Sequence, residues 1–460
     1  MSSAAIRHMD DGLSPLWVGE EVAPRSVHDL LAQHVLADGY KLVVDLERSH
    51  GCRLVDARDG TEYLDCYSFF ASLPIGFNHP DLTDDSILER LGRAGVHKPA
   101  NPDTYSVEYA TFIDTFARVL GDPALPHLFF VEGGALAVEN ALKVAFDWKS
   151  RQNDRAGRLE PADMVLHLRH AFHGRSGYTL SLTNTEPVKT SRFPKFDWPR
   201  IDSPALRFPL ADHVEENRRS EDDALSQAAA SFAANRHRIA CFVAEPIQAE
   251  GGDRHLSARF LGEMHELCKT YDALFVLDEV QTGVGATGFR WAYEGLELEP
   301  DVVAFAKKVQ LGGVMAGRRV DDEPDNVFRV PGRISSTWGG GLVDMVRATR
   351  ILQVFERDNL VEHAANVGQV LLGELEQLAS EQPGSISNVR GRGLLCAVDL
   401  PTSEDRDTVV RQLRENEHVI VLSCGERSIR FRPSLVIEAD EVVEAVQALT
   451  RVVKNLEPAR

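Results

Sequence analysis

The chain has 460 residues, 43% of them hydrophobic, and 70 acidic against 50 basic side chains give it a net charge of -20. That length calls for two lobes around a large buried core, and that charge argues against nucleic acid or an anionic membrane surface as a partner, so any anionic ligand has to be caught by local Arg, Lys or backbone N–H groups. Cys52, Cys66, Cys241, Cys268, Cys396 and Cys424 show no C-x-x-C or zinc-like spacing, residues 1–12 carry no signal-like apolar stretch, and no run of about 18 apolar residues occurs, so a cytoplasmic protein without a metal site or a membrane span is expected.

Residues 1–25 mix Ser, Pro and charge without periodicity and read as an arm, disordered alone or ordered against a partner. Segment 41–66, with Val43-Val44, Leu54-Val55 and Tyr63-Leu64, is strand-rich. From 80 to 340, short apolar runs at 128–131, 164–166, 239–244, 273–277 and 302–305 alternate with longer amphipathic ones such as 135–148. Strands buried on both faces and separated by helices predict an α/β sheet. Beyond Gly339-Gly340-Gly341 the pattern predicts helices over 343–356 and 361–378, then strands at 394–400, 419–422 and 429–431. The expected organisation is an arm and strand-rich segment at 1–79 packing on the C-terminal part, a large α/β domain at 80–344 and a smaller α+β domain at 345–460.

Four segments carry candidate chemistry. The run 273–277 delivers Asp278 and Glu279 at the end of an apolar strand, where α/β proteins place ligands, or is a structural strand end with its acids solvated. No G-x-x-x-x-G-K-[ST] loop accompanies it, which removes the nucleotide-hydrolysis reading. Gly283-Val284-Gly285-Ala286-Thr287-Gly288 matches G-x-G-x-x-G, but it lies five residues beyond the strand and lacks a βαβ continuation. The run 302–305 ends in Lys307-Lys308, a solvated loop if it stands alone, or a desolvated amine able to form a Schiff base if it meets the acid-ended strand. Glu132-Gly133-Gly134-Ala135 opens a helix whose bare N–H groups suit a phosphate, or is a glycine turn used for packing. Phe172-His173-Gly174-Arg175 places a ring and a guanidinium close together, or is a core Phe beside a surface Arg.

In order and spacing these segments resemble the class III (omega-amino acid) aminotransferases of PLP fold type I. The likeness runs over roughly 40–440 and includes FFVEGGALAVENALKVAFDWK at 129–149, AEPIQAEGGDR at 244–254, VMAGRR at 314–319 and STWGG at 336–340. Within that family the chain looks most like the L-lysine 6-aminotransferases. It also resembles the animal-type 4-aminobutyrate enzymes, whose cluster-binding cysteines have no counterpart at 132–135, so no iron–sulfur cluster is expected. The resemblance implies a large domain with a mainly parallel central sheet, a smaller α+β C-terminal domain, and pyridoxal 5'-phosphate (PLP) as cofactor.

It further implies roles for individual residues. Lys307 is the Schiff-base lysine and proton carrier, with Lys308 its structural neighbour. Asp278 pairs with the pyridine nitrogen, Gln281 reaches the phenolic oxygen and the substrate, and Phe172 stacks on the ring. Gly134 and Ala135 bind the phosphate, joined by Thr337 from the other subunit of a homodimer. Arg175 takes the distant carboxylate of the substrate, and Arg430 takes the α-carboxylate of 2-oxoglutarate. Glu250 covers Arg430 while L-lysine is bound, and the glycines after it are expected to let that segment move. Another terminal amine, such as 4-aminobutyrate or L-ornithine, is the alternative donor.

Overall fold

The computed structural model describes residues 22–456. Most of the expected N-terminal arm, residues 1–21, lies outside them. The large domain is built on a seven-stranded sheet of His127–Val131, Gly312–Ala316, Val302–Phe305, Leu274–Asp278, Ile239–Ala244, Met164–Leu168 and Arg200–Ile201, in that spatial order. Neighbours pair in parallel except where Gly312–Ala316 runs antiparallel to both strands beside it. This is the α/β sheet that the apolar runs predict, mainly parallel as the family resemblance implies, and its central strands are buried along their whole length.

Gly312–Ala316 is absent from the expected apolar runs, since it opens on two glycines. A Cβ at Gly312 would come within 2.3 Å of the Gly133 carbonyl oxygen, and one at Gly313 within 2.4 Å of the Phe305 ring. The glycines are there for close backbone approach.

Helix Gly134–Arg155 packs on the sheet through Ala137, Val138, Ala141, Leu142, Val144, Ala145 and Trp148, the spacing of one buried helical face. Burying this set against the sheet fixes where the helix starts, and with it the position of Gly134. On the other side, Phe112 and Phe116 of helix Val107–Val119 meet Phe130 and Phe305, with the Phe116 and Phe305 rings stacked at 5.0 Å.

The C-terminal part has helices Leu342–Arg357 and Leu360–Glu381, and an antiparallel sheet of Ser387–Arg392, Leu395–Asp399, Ser428–Phe431 and Leu422–Cys424. Two further helices, Ser403–Asn416 and Ala439–Lys454, complete it. Val419–Ile420 leaves that sheet and pairs in parallel with Glu62–Asp65, which is antiparallel to Arg53–Val55. The N-terminal strands thus extend the C-terminal part. Between them and the cleft, Ser68, Phe69, Phe70 and Ala71 all have positive φ, from 42° to 64°, a left-handed turn without a glycine.

Among the described residues no helix is long and apolar enough to cross a membrane, and no group of His, Cys, Asp and Glu could hold a metal ion. All six cysteines are buried free thiols.

Candidate active site

The carboxyl end of the central sheet opens into a cavity of about 710 Å³ that Lys307, Asp278, Phe172, Gln281 and Glu250 all line. Strands Leu274–Asp278 and Val302–Phe305 are paired neighbours with Asp278 opposite Ala304, so the acid and the lysines leave the sheet side by side. Lys307 has φ +56°, the left-handed region, and this turn separates two adjacent lysines. Lys307 faces the cavity. Lys308 is buried on the other side, where its Nζ donates to the Gln281 carbonyl at 2.9 Å. Strain of roughly 1–3 kcal/mol for a non-glycine residue in this region has to be held by its surroundings, and such strain concentrates at functional sites. Burial and then the Arg430 charge push the Lys307 amine down to about 8, against the pull of Asp278.

Asp278 is buried, with one carboxylate oxygen 2.7 Å from His173 Nδ1 and the other accepting from the Val280 N–H at 3.0 Å. Burial opposes charge on His173, yet Asp278 and Glu245 hold its pKa above the ordinary value. Burial also pushes the Glu245 carboxyl up to about 7, and this side chain accepts from the Phe172 N–H at 3.0 Å. Neither His173 nor Glu245 was singled out from the sequence, although they sit inside the segments 172–175 and 244–254. Their signal was adjacency to Phe172 and to the strand 239–244.

Gly133, at φ +87°, turns the chain into helix Gly134–Arg155, whose first N–H groups have no side-chain cap. A Cβ on Gly134 would meet Val280 Cγ1 at 2.9 Å, and one on Gly174 would meet Ala135 Cβ at 2.5 Å. The Gly134-Ala135 backbone therefore lies bare at the cavity wall, ready for an anion. Thr337 is exposed and outside the residues lining this cavity. Its neighbour Trp338 is exposed and carries Lys98 on one face of its ring, with Nζ 3.6 Å from the ring centroid and 3.0 Å from Glu132.

Arg430 is fully buried, and Nη2 donates to Glu250 Oε2 at 2.6 Å, while its Nε and Nη1 have no partner. Lys189, which the sequence reading passed over, also lines the cavity and pairs with Glu250 Oε1. Burial raises the Glu250 carboxyl, but Arg430 and Lys189 more than offset this and bring it below the ordinary range. Arg175 lines the same cavity and is solvent-exposed.

The expectation that glycines let the Glu250 segment move is corrected by its packing. Gly425 N–H donates to the Glu250 carbonyl at 3.0 Å, and Arg390 donates to the Asp253 and Gly252 carbonyls at 2.8 and 2.6 Å. Arg432 and Asp253 form a wholly buried pair beside them. A Cβ at Gly251 would sit 2.1 Å from the His170 carbonyl oxygen. These glycines admit neighbouring backbone, and the segment is clamped.

The G-x-G-x-x-G match is used for packing too. Cβ atoms at Gly283, Gly285 and Gly288 would strike Trp291, Phe355 and Ala365. No βαβ unit follows, because the next helix is the single turn Ala292–Gly295.

The donor set fits PLP on its own evidence. An amine of lowered pKa, a buried carboxylate, a bare helix N-terminus and the partnerless buried Gln281 Oε1 face one cavity of suitable size. Comparison with known proteins agrees. The L-lysine-epsilon aminotransferase of Amycolatopsis lactamdurans is 57% identical over 92% of this chain and 95% of its own length. That of Streptomyces clavuligerus is 56% identical over 97% of both chains. The solved lysine aminotransferase from M. tuberculosis in the internal aldimine form superposes with a TM-score of 0.91 at 55% identity, covering 94% of this chain and 99% of that one. The human mitochondrial 4-aminobutyrate aminotransferase is more distant, at 32% identity over 92% of this chain and 87% of its own. The class-III aminotransferase family model matches residues 35–453, and the chain belongs to that family of PLP-dependent enzymes.

Proposed function

We propose that this enzyme transfers the 6-amino group of L-lysine to 2-oxoglutarate, giving L-2-aminoadipate 6-semialdehyde and L-glutamate. Arg430 supports this reading most directly, as a buried guanidinium that Glu250 covers on one nitrogen and leaves open on two. Relatives named for lysine share 56–57% identity with the chain, against 32–35% for those named for 4-aminobutyrate, which favours lysine as the donor.

When bound, PLP supplies an aldehyde that condenses with amines and a ring that absorbs the electron pair left by C–H ionisation. Lys307 Nζ, with its lowered pKa, takes the proton from the carbon that bears the amine. Asp278, backed by His173, would offer its negative charge to the pyridine nitrogen, and Phe172 would supply an aromatic face to the ring. Gly134 and Ala135 N–H groups would hold the phosphate, and Gln281 would reach the phenolic oxygen and the substrate.

Two carboxylate anchors at different depths serve two substrates of different shape. Arg175 holds the carboxylate far from the reacting carbon in both cases. L-Lysine brings an apolar stem past Arg430, where an uncovered guanidinium would be costly, and Glu250 neutralises it. 2-Oxoglutarate brings a second carboxylate, to which Arg430 turns its open N–H groups. Glu250→Ala is expected to slow the lysine half-reaction by at least about tenfold and to leave the 2-oxoglutarate half-reaction comparatively intact. Arg430→Ala should do the reverse. Stopped-flow spectra of each half-reaction decide this, and equal losses in both halves for Glu250→Ala would sink the switch.

The working unit is a homodimer. Thr337 is exposed on its own chain, which leaves its hydroxyl free to serve the phosphate site of a second subunit. Thr337→Ala should weaken PLP retention by roughly 10- to 100-fold, the worth of one hydrogen bond to a charged group, as measured by equilibrium dialysis. Six buried free thiols suit a cytoplasmic location, where thiols stay reduced. The test of the overall reading is a panel of L-lysine, 4-aminobutyrate and L-ornithine with 2-oxoglutarate, followed by glutamate formation. A preference for either alternative over L-lysine overturns it.

A further inference from the structure

Because the backbone of Glu250 is clamped, the carboxylate can leave Arg430 only by rotating its own side chain. It has to remain an anion as it does so, in a pocket where its side chain is 24% exposed, and an unpaired charge there is costly. A cation must already stand where the carboxylate goes.

Lys189 stands there. It lies on the short turn Pro187–Thr190, with its side chain 20% exposed, and its Nζ contacts Glu250 Oε1 while Arg430 contacts Oε2. Its Nζ is also 3.2 Å from Glu186 Oε1 and 5.6 Å from the centroid of the Phe172 ring, so the ammonium is held in place from three sides. One carboxylate is thus shared between two cations, one deeply buried and one at the cavity wall.

Resting on the Glu250–Arg430 reading above, we propose that Lys189 is the second anchor of Glu250, a positioning residue that receives the carboxylate when an oxo acid takes Arg430. Its charge lowers the cost of uncovering Arg430 and so sets how the one site divides its affinity between the two substrates. The residue acts through Glu250.

The test is Lys189→Met, which keeps an apolar stem beside Phe172 and removes the charge, made in the PLP-loaded enzyme. Glutarate, an unreactive dicarboxylate that needs Arg430 free, and hexanoate, a monocarboxylate whose tail needs Arg430 covered, are titrated by calorimetry. The glutarate Kd should rise by roughly tenfold, with hexanoate within about twofold. The KM for 2-oxoglutarate should rise more than that for L-lysine, and Lys189→Arg should restore glutarate binding. In a Glu250→Ala background, Lys189→Met should have no further effect on glutarate, since the partner through which it acts is gone.

Equal weakening of hexanoate and glutarate, or a full effect in the Glu250→Ala background, would mean that Lys189 binds substrate directly, and either outcome overturns the proposal. An unchanged glutarate Kd overturns it as well. Failure of the switch itself is read separately, from Glu250→Ala alone affecting both half-reactions equally.

Discussion

Lys307→Ala should abolish transamination, with a loss of at least about four orders of magnitude, the upper end of what a positioned acid–base group contributes. The fold should survive. The amine faces a cavity, and its removal leaves no buried partner unpaired. The cofactor-free variant should in fact be more stable than the cofactor-free wild type at neutral pH. Folding lowers the Lys307 pKa from 10.5 to about 8, so below about 8 both states are protonated and the folded state carries the whole cost of the confined charge. That cost is on the order of 2 kcal/mol once the water of the cavity is allowed for. It disappears as pH rises from about 8 towards 10.5, where the amine is neutral in both states. Melting curves across that window should show the gap between variant and wild type closing with rising pH. Borohydride treatment of the loaded wild type, then proteolysis and mass spectrometry, should find the pyridoxyl group on Lys307. Recovery on Lys308, or a variant that keeps its activity, would overturn the assignment.

The part of this site that was legible in the sequence is the part carried by strand ends. An apolar run that stops at an acid and another that stops at a lysine are one-dimensional patterns, and two parallel neighbours turn them into a juxtaposition. Which of the two lysines faces the cavity depends on the positive φ at Lys307, and no glycine or asparagine announces it. The same holds for Ser68–Ala71, whose left-handed turn is held by a local carboxylate cap and one tertiary hydrogen bond. Asp65 accepts from the Tyr67 and Ser68 N–H groups at 2.9 and 2.8 Å, and Ser68 Oγ donates to the Arg432 carbonyl at 2.6 Å. His173, Glu245 and Lys189 escaped for a related reason. Each acts through a partner tens of residues away, 105 for His173 with Asp278 and 61 for Lys189 with Glu250, and such pairings leave no local period. The Glu250 glycines were misread because local flexibility and close approach produce the same residue choice.

Asp278→Asn should lower turnover by about two to three orders of magnitude, the scale for removing one preorganised electrostatic partner, while some PLP stays bound through the phosphate contacts. The substitution is nearly isosteric, so the amide oxygen can still accept from the Val280 N–H, and packing at this buried position should change little. What goes is the negative charge that faces His173 and that, on the proposed reading, serves the pyridine nitrogen. In the wild type His173 is buried, which opposes its protonation, and the hydrogen bond and charge of Asp278 overcome this to raise its pKa. A histidine with a raised folded-state pKa contributes stability that is fully present below its ordinary value of 6.5 and fades as pH rises through the folded-state value. In cofactor-free protein, the wild type should therefore exceed Asp278→Asn in stability most at acidic pH, with the difference shrinking as pH rises above 6.5. Two readouts then separate an electrostatic role from a merely structural one, steady-state turnover of the loaded enzyme and melting temperature against pH without cofactor. Near wild-type turnover in the asparagine variant would mean that the strand-end carboxylate only buttresses the Val280 turn and His173. A large loss of turnover with the pH-dependent stability difference in place would assign the charge to both partners at once.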